Sequence, residues 1–173
     1  MQNEYVVLVD EKNNETGVME KMEAHRSGKL HRAISVFIYN SKGELLMHKR
    51  AAGKYHSAGL WTNTCCSHPR PGEDAREAAM RRLQEEMGMK CELVHAFDFT
   101  YKAELENGLT EHEFDHVFTG ISDALPAPNP DEVEAWEYIC EEDLALELRD
   151  NPQLFTVWFR MIYPNLTPQT IVA

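Results

Sequence analysis

The order of apolar and polar positions along the chain predicts a protein built mainly of strands. Short apolar or alternating runs bounded by Gly, Pro, Asn and Ser are typical of strands with one or both faces buried. Such runs lie at 5–9, 33–39, 44–49, 62–68, 91–101, 111–121 and 132–140. The turn Ser41-Lys42-Gly43 is expected to join the second and third runs as a hairpin.

One longer segment has the pattern of an amphipathic helix. Asp74 can cap its start, Gly88 can end it, and good helix formers lie between them. At 3.6 residues per turn a single apolar stripe forms, and it holds Ala79, Met80, Leu83 and Met87. We expect this stripe to face the core. Two further helices are predicted over 141–148 and 154–163.

The carboxylates of this helix take different positions relative to the apolar stripe. Glu86 and Arg82 lie along its flank, whereas Glu85 points away from it. Glu86 is therefore the better candidate for a buried site. Taken alone, these residues favour a plain surface helix, with ion pairs between Arg82 and Glu86 and between Arg81 and Glu85, over a metal site.

Alternation along two of the predicted strands brings reactive groups together. In an extended 62–68 segment, Cys66 and His68 share a face with Thr62 and Thr64, while Cys65 lies on the other face. Simple core packing is the usual role of a free cysteine and suits Cys65 well. In the 111–121 strand the residues of one face are Glu111, Glu113 and Asp115. These carboxylates fit either a solvated edge strand or a metal site, because they repel one another unless a cation lies among them.

Length and charge narrow the class of protein. The chain has 173 residues, enough for one domain with its own core. Its net charge of -12 disfavours nucleic acid and anionic membranes as partners. The first ten residues contain no basic segment followed by a long apolar run, and the four cysteines are irregularly spaced, so we expect a soluble cytoplasmic protein with reduced thiols.

Local groups of basic residues and histidines interrupt this acidic background. Lys49, Arg50 and Lys54 form a basic run, which is usually only a solvated loop. An acidic protein that binds a phosphorylated ligand needs such a local cluster or bridging cations. Two histidines, His25 and His31, occur close together in a segment for which no regular element is predicted.

Several separated motifs resemble one enzyme family. Eight residues have the spacing of the Nudix box, which is a glycine, a glutamate six residues on, and then Arg-Glu-apolar-x-Glu-Glu-x-Gly-apolar. They are Ser67, Glu73, Arg81, Leu83, Glu85, Glu86, Gly88 and Met89. Two positions depart from it, because Ser67 replaces the glycine and Arg82 replaces a glutamate. With the lead-in Trp61-Thr62-Asn63 and Cys66-x-His68-Pro69, these departures resemble the type 1 isopentenyl diphosphate isomerases. The resemblance extends from Lys21 through Trp158.

The resemblance implies both a fold and an activity. The implied fold is α/β (α+β), a Nudix-type mixed β-sheet sandwiched by helices in a single compact domain that spans 1–173 with its core at about 4–163. The implied activity is the interconversion of isopentenyl diphosphate and dimethylallyl diphosphate. That reaction adds a proton at one carbon and removes another elsewhere, through a carbocation-like intermediate.

The resemblance also carries roles to individual residues. The catalytic residues it implies are Cys66 and Glu113 as an acid–base pair, with Tyr101 assisting. One metal site, for Mn²⁺ or Zn²⁺, would use His25, His31, His68, Glu111 and Glu113. A Mg²⁺ ion arriving with the diphosphate would be held by Glu86 and the backbone carbonyl of Cys66. The residues implied to contact the substrate diphosphate are Lys21, Arg50, Lys54 and Arg82. Trp61 and Trp158 are the aromatic candidates for stabilising the cation. His48, His56, His112, His116 and Asp115 receive no role.

The expected partner is a small allylic or homoallylic diphosphate, with neither nucleic acid nor a membrane, bound by a monomer or weak homodimer. Two other functions remain open from the residues alone. A Nudix hydrolase of a nucleoside diphosphate derivative would use the same helix to hold Mg²⁺ and activate water, although Arg82 weakens that carboxylate cluster. A non-catalytic domain stabilised by a His/Glu metal site would have no need of the basic cluster.

Overall fold

In the computed structural model, which describes residues 4–167, most of the chain belongs to one mixed sheet with helices on both faces. The strands are β1 (Tyr5–Val9), β2 (Glu15–Glu20), β3 (His31–Tyr39), β4 (Leu45–Arg50), β5 (Trp61–Thr62), β6 (Cys65–Ser67), β7 (Val94–Glu104), β8 (Thr110–Ile121) and β9 (Val133–Ile139). The α-helices are α1 (Lys21–Ser27), α2 (Ala75–Met87), α3 (Glu141–Asp150) and α4 (Val157–Ile162). Short 3₁₀ turns cover Glu106–Gly108, Pro152–Leu154 and Tyr163–Asn165.

Strand β3 is the centre of the sheet. It pairs in parallel with β8 along its whole length and antiparallel with β6 on its other side. Strand β7 pairs with β8, the β1–β2 hairpin joins the start of β3 at His31, and β4 joins its end at Tyr39 before pairing with β9 and β5. On that edge of β3, pairing with β6 replaces most of the hairpin pairing that the sequence predicts between β3 and β4.

Both faces of β3 are covered, which explains its nearly continuous apolar sequence. Its residues Ile34, Val36 and Ile38 pack with Leu83 and Met87 of α2 in one core cluster. On the opposite face its aromatic residues Phe37 and Tyr39 pack with Trp158, Phe159 and Ile162 of α4. The predicted mixed sheet between helices is therefore confirmed.

Helix α2 has the predicted ends. The side chain of Asp74 accepts hydrogen bonds from the backbone N–H groups of Arg76 and Glu77, and Gly88 ends the helix in the left-handed conformation with φ of 65°. Glu86 is buried and Glu85 is exposed, as predicted.

The assignment of Met80 to the buried stripe of α2 is wrong. Its side chain is 46% exposed. The buried stripe is rotated toward Ala78, Ala79 and Glu86, which leaves Met80 roughly one residue's rotation (~100°) from the centre of that stripe.

Other differences between the predicted and observed elements lie in segments where local contacts determine the structure and the apolar pattern does not. Strand β2 and helix α1 occupy 15–27, where no regular element was predicted. The predicted 62–68 strand is divided into β5 and β6, because Asn63 and Thr64 turn inward: the Asn63 amide donates to the carbonyls of Val36 and Cys65, and the Thr64 hydroxyl donates to that of Leu46. Thr62 and Thr64 consequently do not share the cavity face of Cys66 and His68.

The ends of the predicted elements also move. Strand β7 begins at Val94 and not at residue 91, and α4 covers only part of the helix predicted over 154–163. No helix within residues 4–167 is long and apolar enough to cross a membrane. The expectations for the first three residues and for the tail beyond 167 lie outside the described residues.

Candidate active site

Four elements bring three histidines and a carboxylate to one point. His25 comes from α1, His31 from the start of β3, His68 from the segment after β6, and Glu113 from β8. The parallel register of β3 and β8 pairs His31 directly with Glu113. His68 Nε2 lies 3.0 Å from Glu113 Oε1 and 3.2 Å from His31 Nε2. One ligand atom from each of the four lies within 4.8 Å of all the others.

The hydrogen bonds of these histidines leave nitrogen lone pairs directed at that point. The Nδ1 atoms of His25 and His31 are each 2.7 Å from a backbone carbonyl, of Lys21 and Lys29 respectively. A carbonyl only accepts, so each Nδ1 carries the hydrogen and each Nε2 is free to bind a cation. Within residues 4–167, His25 Nε2 is buried without a hydrogen-bond partner. The donor set therefore fits a divalent metal.

Glu111 and Tyr101 extend this cluster. The Tyr101 hydroxyl lies 2.7 Å from Glu113 Oε2 and 3.0 Å from Glu111 Oε2. Burial and the charge of Glu113 raise the pKa of Glu111 well above its ordinary value. Burial also favours a high pKa for Glu113, but the adjacent imidazoles of His31 and His68 outweigh burial and hold that pKa well below its ordinary value.

The adjacent cysteines face opposite sides of the sheet, as the alternation predicts. Cys65 is fully buried in the core cluster beneath α2. Cys66 lines a cavity that also includes His68, Tyr101 and Glu113. Burial raises the pKa of the Cys66 thiol, so that it keeps its proton at neutral pH.

Cationic side chains line the same cavity. Lys21, Arg50, Lys54 and Arg82 all contribute to its wall. Lys21 pairs with Glu4, Lys54 pairs with Glu132, and Arg82 Nε lies 3.1 Å from Glu86 Oε1. Arg50 is different, because its Nε is buried without a hydrogen-bond partner among residues 4–167 and its guanidinium lies 5.1 Å from the Trp158 ring centre. A buried cation with an unused donor is suited to an anionic ligand.

Only one of the two candidate tryptophans reaches the cavity. Trp158 lines it beside Arg50. Trp61, which was also predicted to contact the substrate, is not among its lining residues. It lies on β5, where it packs against the α4 core cluster and contributes to a separate surface groove with Phe155 and Tyr138. Strand β5 bonds to β4 and to the segment before α4, which holds this side chain away from the cavity.

The remaining assigned residues converge on one cavity, whose volume is about 70 Å³ with the present side-chain positions. The assigned residues that line it are Lys21, Arg50, Lys54, Cys66, His68, Arg82, Glu86, Tyr101, Glu111, Glu113 and Trp158. His25 and His31 do not line it but belong with His68 and Glu113 to the candidate metal-binding group. The cavity is acidic and histidine-rich on the β8 side and cationic around Arg50, Lys54 and Arg82.

Sequence reasoning assigned no role to several residues in or beside this site. His56 is buried beside Glu111, and burial lowers its pKa to about 3. Asp115 is buried and accepts a hydrogen bond of 2.7 Å from the Ser35 hydroxyl. Glu132 lines the cavity between Lys54 and Arg82. Alternation with Glu111 and Glu113 signals the burial of Asp115, but His56 and Glu132 lie in connecting segments without a periodic pattern.

Comparisons with known proteins identify similar chains. Residues 29–159 match the NUDIX domain family. A protein of Pectobacterium atrosepticum named isopentenyl-diphosphate Delta-isomerase is 52% identical over 93% of this chain and 90% of its own length. An isopentenyl-diphosphate Delta-isomerase 1 of Aromatoleum aromaticum is 58% identical over 88% of this chain and 86% of its own.

Solved structures with low sequence identity share the fold. A structure from Deinococcus radiodurans superimposes with a TM-score of 0.80 at 20% identity, covering 94% of this chain and 98% of its own. A MutT NUDIX hydrolase from Burkholderia pseudomallei gives a TM-score of 0.63 at 23% identity, covering 80% and 98%. At such identities the likeness extends to the fold alone.

Proposed function

The chain belongs to the NUDIX domain family and, within it, to the isopentenyl-diphosphate Delta-isomerases, and from this premise we propose how its cavity interconverts isopentenyl diphosphate and dimethylallyl diphosphate. The reaction adds a proton to C4 of the isopentenyl chain, which leaves a tertiary carbocation at C3. Loss of a proton from C2 then forms the C2=C3 double bond. An unactivated alkene is a weak base, so the acid must be held against it in a cavity that excludes water.

Cys66 and Glu113 form the acid–base pair. They come from β6 and β8, the two strands on either side of β3, and both line the cavity. The Cys66 thiol keeps its proton because burial raises its pKa, whereas Glu113 is held as a carboxylate by His31 and His68. One group can therefore donate a proton while the other accepts one, and they exchange roles when the reaction runs in reverse.

Tyr101 serves Glu113 directly. Its hydroxyl donates to Glu113 Oε2 at 2.7 Å, and burial raises the pKa of the phenol well above its ordinary value. The phenol therefore stays protonated and can pass a proton between Glu113 and the substrate carbon. The contact with Glu111 at 3.0 Å fixes the hydroxyl from the other side.

The diphosphate occupies the cationic part of the cavity. Arg50 offers its unused Nε–H, while Lys21, Lys54 and Arg82 exchange their present carboxylate partners for phosphate oxygens. Trp158, whose ring lies against Arg50, provides an aromatic face for the carbocation. The hydrocarbon end then lies between Cys66 and Glu113.

Two cations complete the site. Mn²⁺ or Zn²⁺ suits the mixed nitrogen and oxygen donors of His25, His31, His68 and Glu113, with Glu111 beside them in a group that shares His25. Mg²⁺ suits the oxygen donors of Glu86, the Cys66 backbone carbonyl and the diphosphate. When bound, these ions supply positive charge that keeps Glu113 ionised and neutralises the phosphates. Glu86 is positioned for this by Arg82, whose two hydrogen bonds to Glu86 both go to Oε1 and leave Oε2 for other contacts.

The protein acts on a small allylic or homoallylic diphosphate. Its net charge of -12 disfavours nucleic acid and anionic membranes as partners. We place it in the cytoplasm as a monomer or weak homodimer. A light-scattering mass above that of a dimer would contradict this assembly state.

The observation that carries this mechanism is that Cys66 and Glu113, from strands on opposite sides of β3, line one cavity with four cationic side chains. Incubation with isopentenyl diphosphate in deuterated water tests it, because a proton exchanged with solvent must enter the product. We expect deuterium in dimethylallyl diphosphate from the original chain and none from Cys66→Ala. Deuterated product from a well-folded Cys66→Ala variant would remove Cys66 from the mechanism, and phosphate or monophosphate release from nucleotides would indicate hydrolysis.

A further inference from the structure

His56 lies beside the proposed metal centre without a role in the mechanism above. It belongs to the loop between β4 and β5 and is 4% exposed. Its Nε2 lies 3.5 Å from Glu111 Oε1. His25, His56 and Glu111 form a second group whose ligand atoms lie within 4.8 Å of one another. His56 therefore either binds the metal itself or acts on Glu111.

The partners of the Nδ1 atoms distinguish His56 from two of the proposed ligand histidines. Backbone carbonyls hold the Nδ1 of His25 and His31, which requires a hydrogen on Nδ1 and leaves Nε2 bare. The Nδ1 of His56 lies 3.2 Å from the hydroxyl of Ser57. A hydroxyl can donate, so His56 Nδ1 can accept and Nε2 can carry the hydrogen. That hydrogen faces Glu111.

Glu111 lacks the hydrogen-bond donor that Glu113 receives from Tyr101. Tyr101 has a single hydroxyl hydrogen for Glu111 Oε2 and Glu113 Oε2, and the shorter contact is to Glu113. The other oxygen of Glu111, Oε1, faces His56. Burying a carboxylate without hydrogen bonds is costly, so a donor at this position stabilises one orientation of the carboxylate.

We propose that His56 is a positioning residue that donates its Nε2–H to Glu111 Oε1 and orients Glu111 toward the metal, with Ser57 fixing the tautomer. The inference rests on the proposed metal centre. The distance of 3.5 Å exceeds the ~2.7–3.2 Å of an N–H···O hydrogen bond, so a movement of about half an ångström closes it. Glu111 and the liganding histidines are then held by the same kind of outer contact.

The loop is built to hold the imidazole in this place. Arg50 Nη2 donates to the His56 carbonyl at 3.1 Å, and the Ser57 backbone N–H donates to Glu106. The edge of the His56 ring lies against Trp158, with the ring centres 5.7 Å apart. The same loop therefore connects Glu111 with the side chains proposed to bind the diphosphate and the carbocation.

Zinc affinity measured by competition with a chelator tests the proposal on the full chain. His56→Leu should weaken zinc binding by about 10–100-fold, the usual cost of removing an outer donor from a metal ligand. His56→Gln should recover most of this loss, because its amide N–H reaches the position of Nε2. Ser57→Ala should fall between them, since the tautomer is then unconstrained.

Matched variants separate this role from others. His48 is a second buried histidine on the cavity wall, with its Nδ1 3.1 Å from the Thr64 carbonyl, so His48→Leu should lower stability without changing zinc affinity. Equal losses in His56→Leu and His56→Gln would overturn the proposal and make His56 a direct ligand. Unchanged affinity in His56→Leu would overturn it outright.

Two further results are decisive. If His56→Leu does not fold, comparing His56→Gln with His56→Asn answers the same question, because the Asn amide is too short to reach Glu111. Tighter zinc binding by Gln than by Asn supports the proposal, and equal binding overturns it. If the original chain binds no zinc, the metal centre itself fails. Zinc binding that is insensitive to position 56 removes the present inference alone.

Discussion

Two groups of histidines and carboxylates lie on opposite faces of the same strand, β8. The inner cluster consists of His25, His31, His68 and Glu113, and its side chains are at most 13% exposed. The outer cluster consists of His95, Asp98 and His116, and the side chains of His95 and Asp98 are 49% and 43% exposed. Both bring potential ligand atoms within 4.8 Å of one another. Residue type and proximity therefore do not distinguish them.

The hydrogen bonds do distinguish them. In the inner cluster backbone carbonyls hold the Nδ1 atoms of His25 and His31, and His25 Nε2 has no partner among residues 4–167. In the outer cluster His95 and His116 both contact Asp98 Oδ1 at 2.7 Å, and Asn13 lies 3.3 Å from the other nitrogen of His116. The outer groups satisfy one another, whereas the inner groups leave donor atoms for a cation.

The largest difference in turnover is expected between the variants Glu113→Gln and Asp98→Asn. Glu113 is a proposed metal ligand and one member of the proposed acid–base pair, and removal of a positioned acid or base alone costs about 10²–10⁴-fold in rate. We expect Glu113→Gln to lose at least this much turnover of isopentenyl diphosphate while circular dichroism stays unchanged. Asp98→Asn should keep the original rate. A Glu113→Gln variant of near-normal activity would end the assignment of a catalytic carboxylate on this face.

The second largest difference is expected in zinc affinity, between variants of the inner and outer clusters. His25→Ala removes a buried proposed ligand whose Nδ1 is already fixed, and loss of an outer contact alone costs about 10–100-fold in affinity. We therefore expect a loss of at least about 100-fold in zinc affinity, measured by chelator competition. His116→Ala is the matched change on the outer face and should leave the zinc affinity of the inner cluster unchanged. A lower zinc affinity in His116→Ala would show that the two clusters had been assigned in reverse.

The same contrast between cavity and scaffold applies to the adjacent cysteines. Cys65 is fully buried beneath α2 and does not line the cavity. Cys65→Ser places a more polar group in that core, so we expect a loss of about 1–2 kcal/mol in the free energy of unfolding, measured by urea denaturation, with turnover retained. A well-folded but inactive Cys65→Ser variant would mean that the wrong sulfur had been chosen.

The sequence predicted the inner cluster unevenly, and the physical reasons differ by element. Alternation along β8 placed Glu111 and Glu113 on one face correctly, because side chains two residues apart lie on the same face of a strand whether or not that face is buried. Helix α1, which carries His25, has only seven residues, too few for a helical period to show. The convergence of α1, β3 and β8 depends on long-range parallel pairing, so the resemblance to a family had to supply it.

The positions of side chains in loops were the least predictable. His56 owes its place beside Glu111 to contacts of the loop with Arg50 and Glu106, neither of which leaves a local pattern. Trp61 is the opposite case, because a motif did suggest a role for it. Its place in a motif shared with the family suggested a cavity residue, whereas the short strand β5 turns its side chain toward the core.

The smallest expected effect is on the outer cluster itself. Burial favours a higher pKa for Asp98, but hydrogen bonds from His95 and His116 outweigh it and lower that pKa. A carboxyl with a lowered folded-state pKa adds stability above its unfolded pKa of about 3.9 and loses it as the pH falls through the folded value. Because these groups are exposed, Asp98→Asn should cost less than about 1 kcal/mol at pH 7, as surface pairs usually do, and the difference should shrink below pH 4. A larger cost in urea denaturation, or one accompanied by loss of turnover, would show that the outer face of β8 supports the inner one.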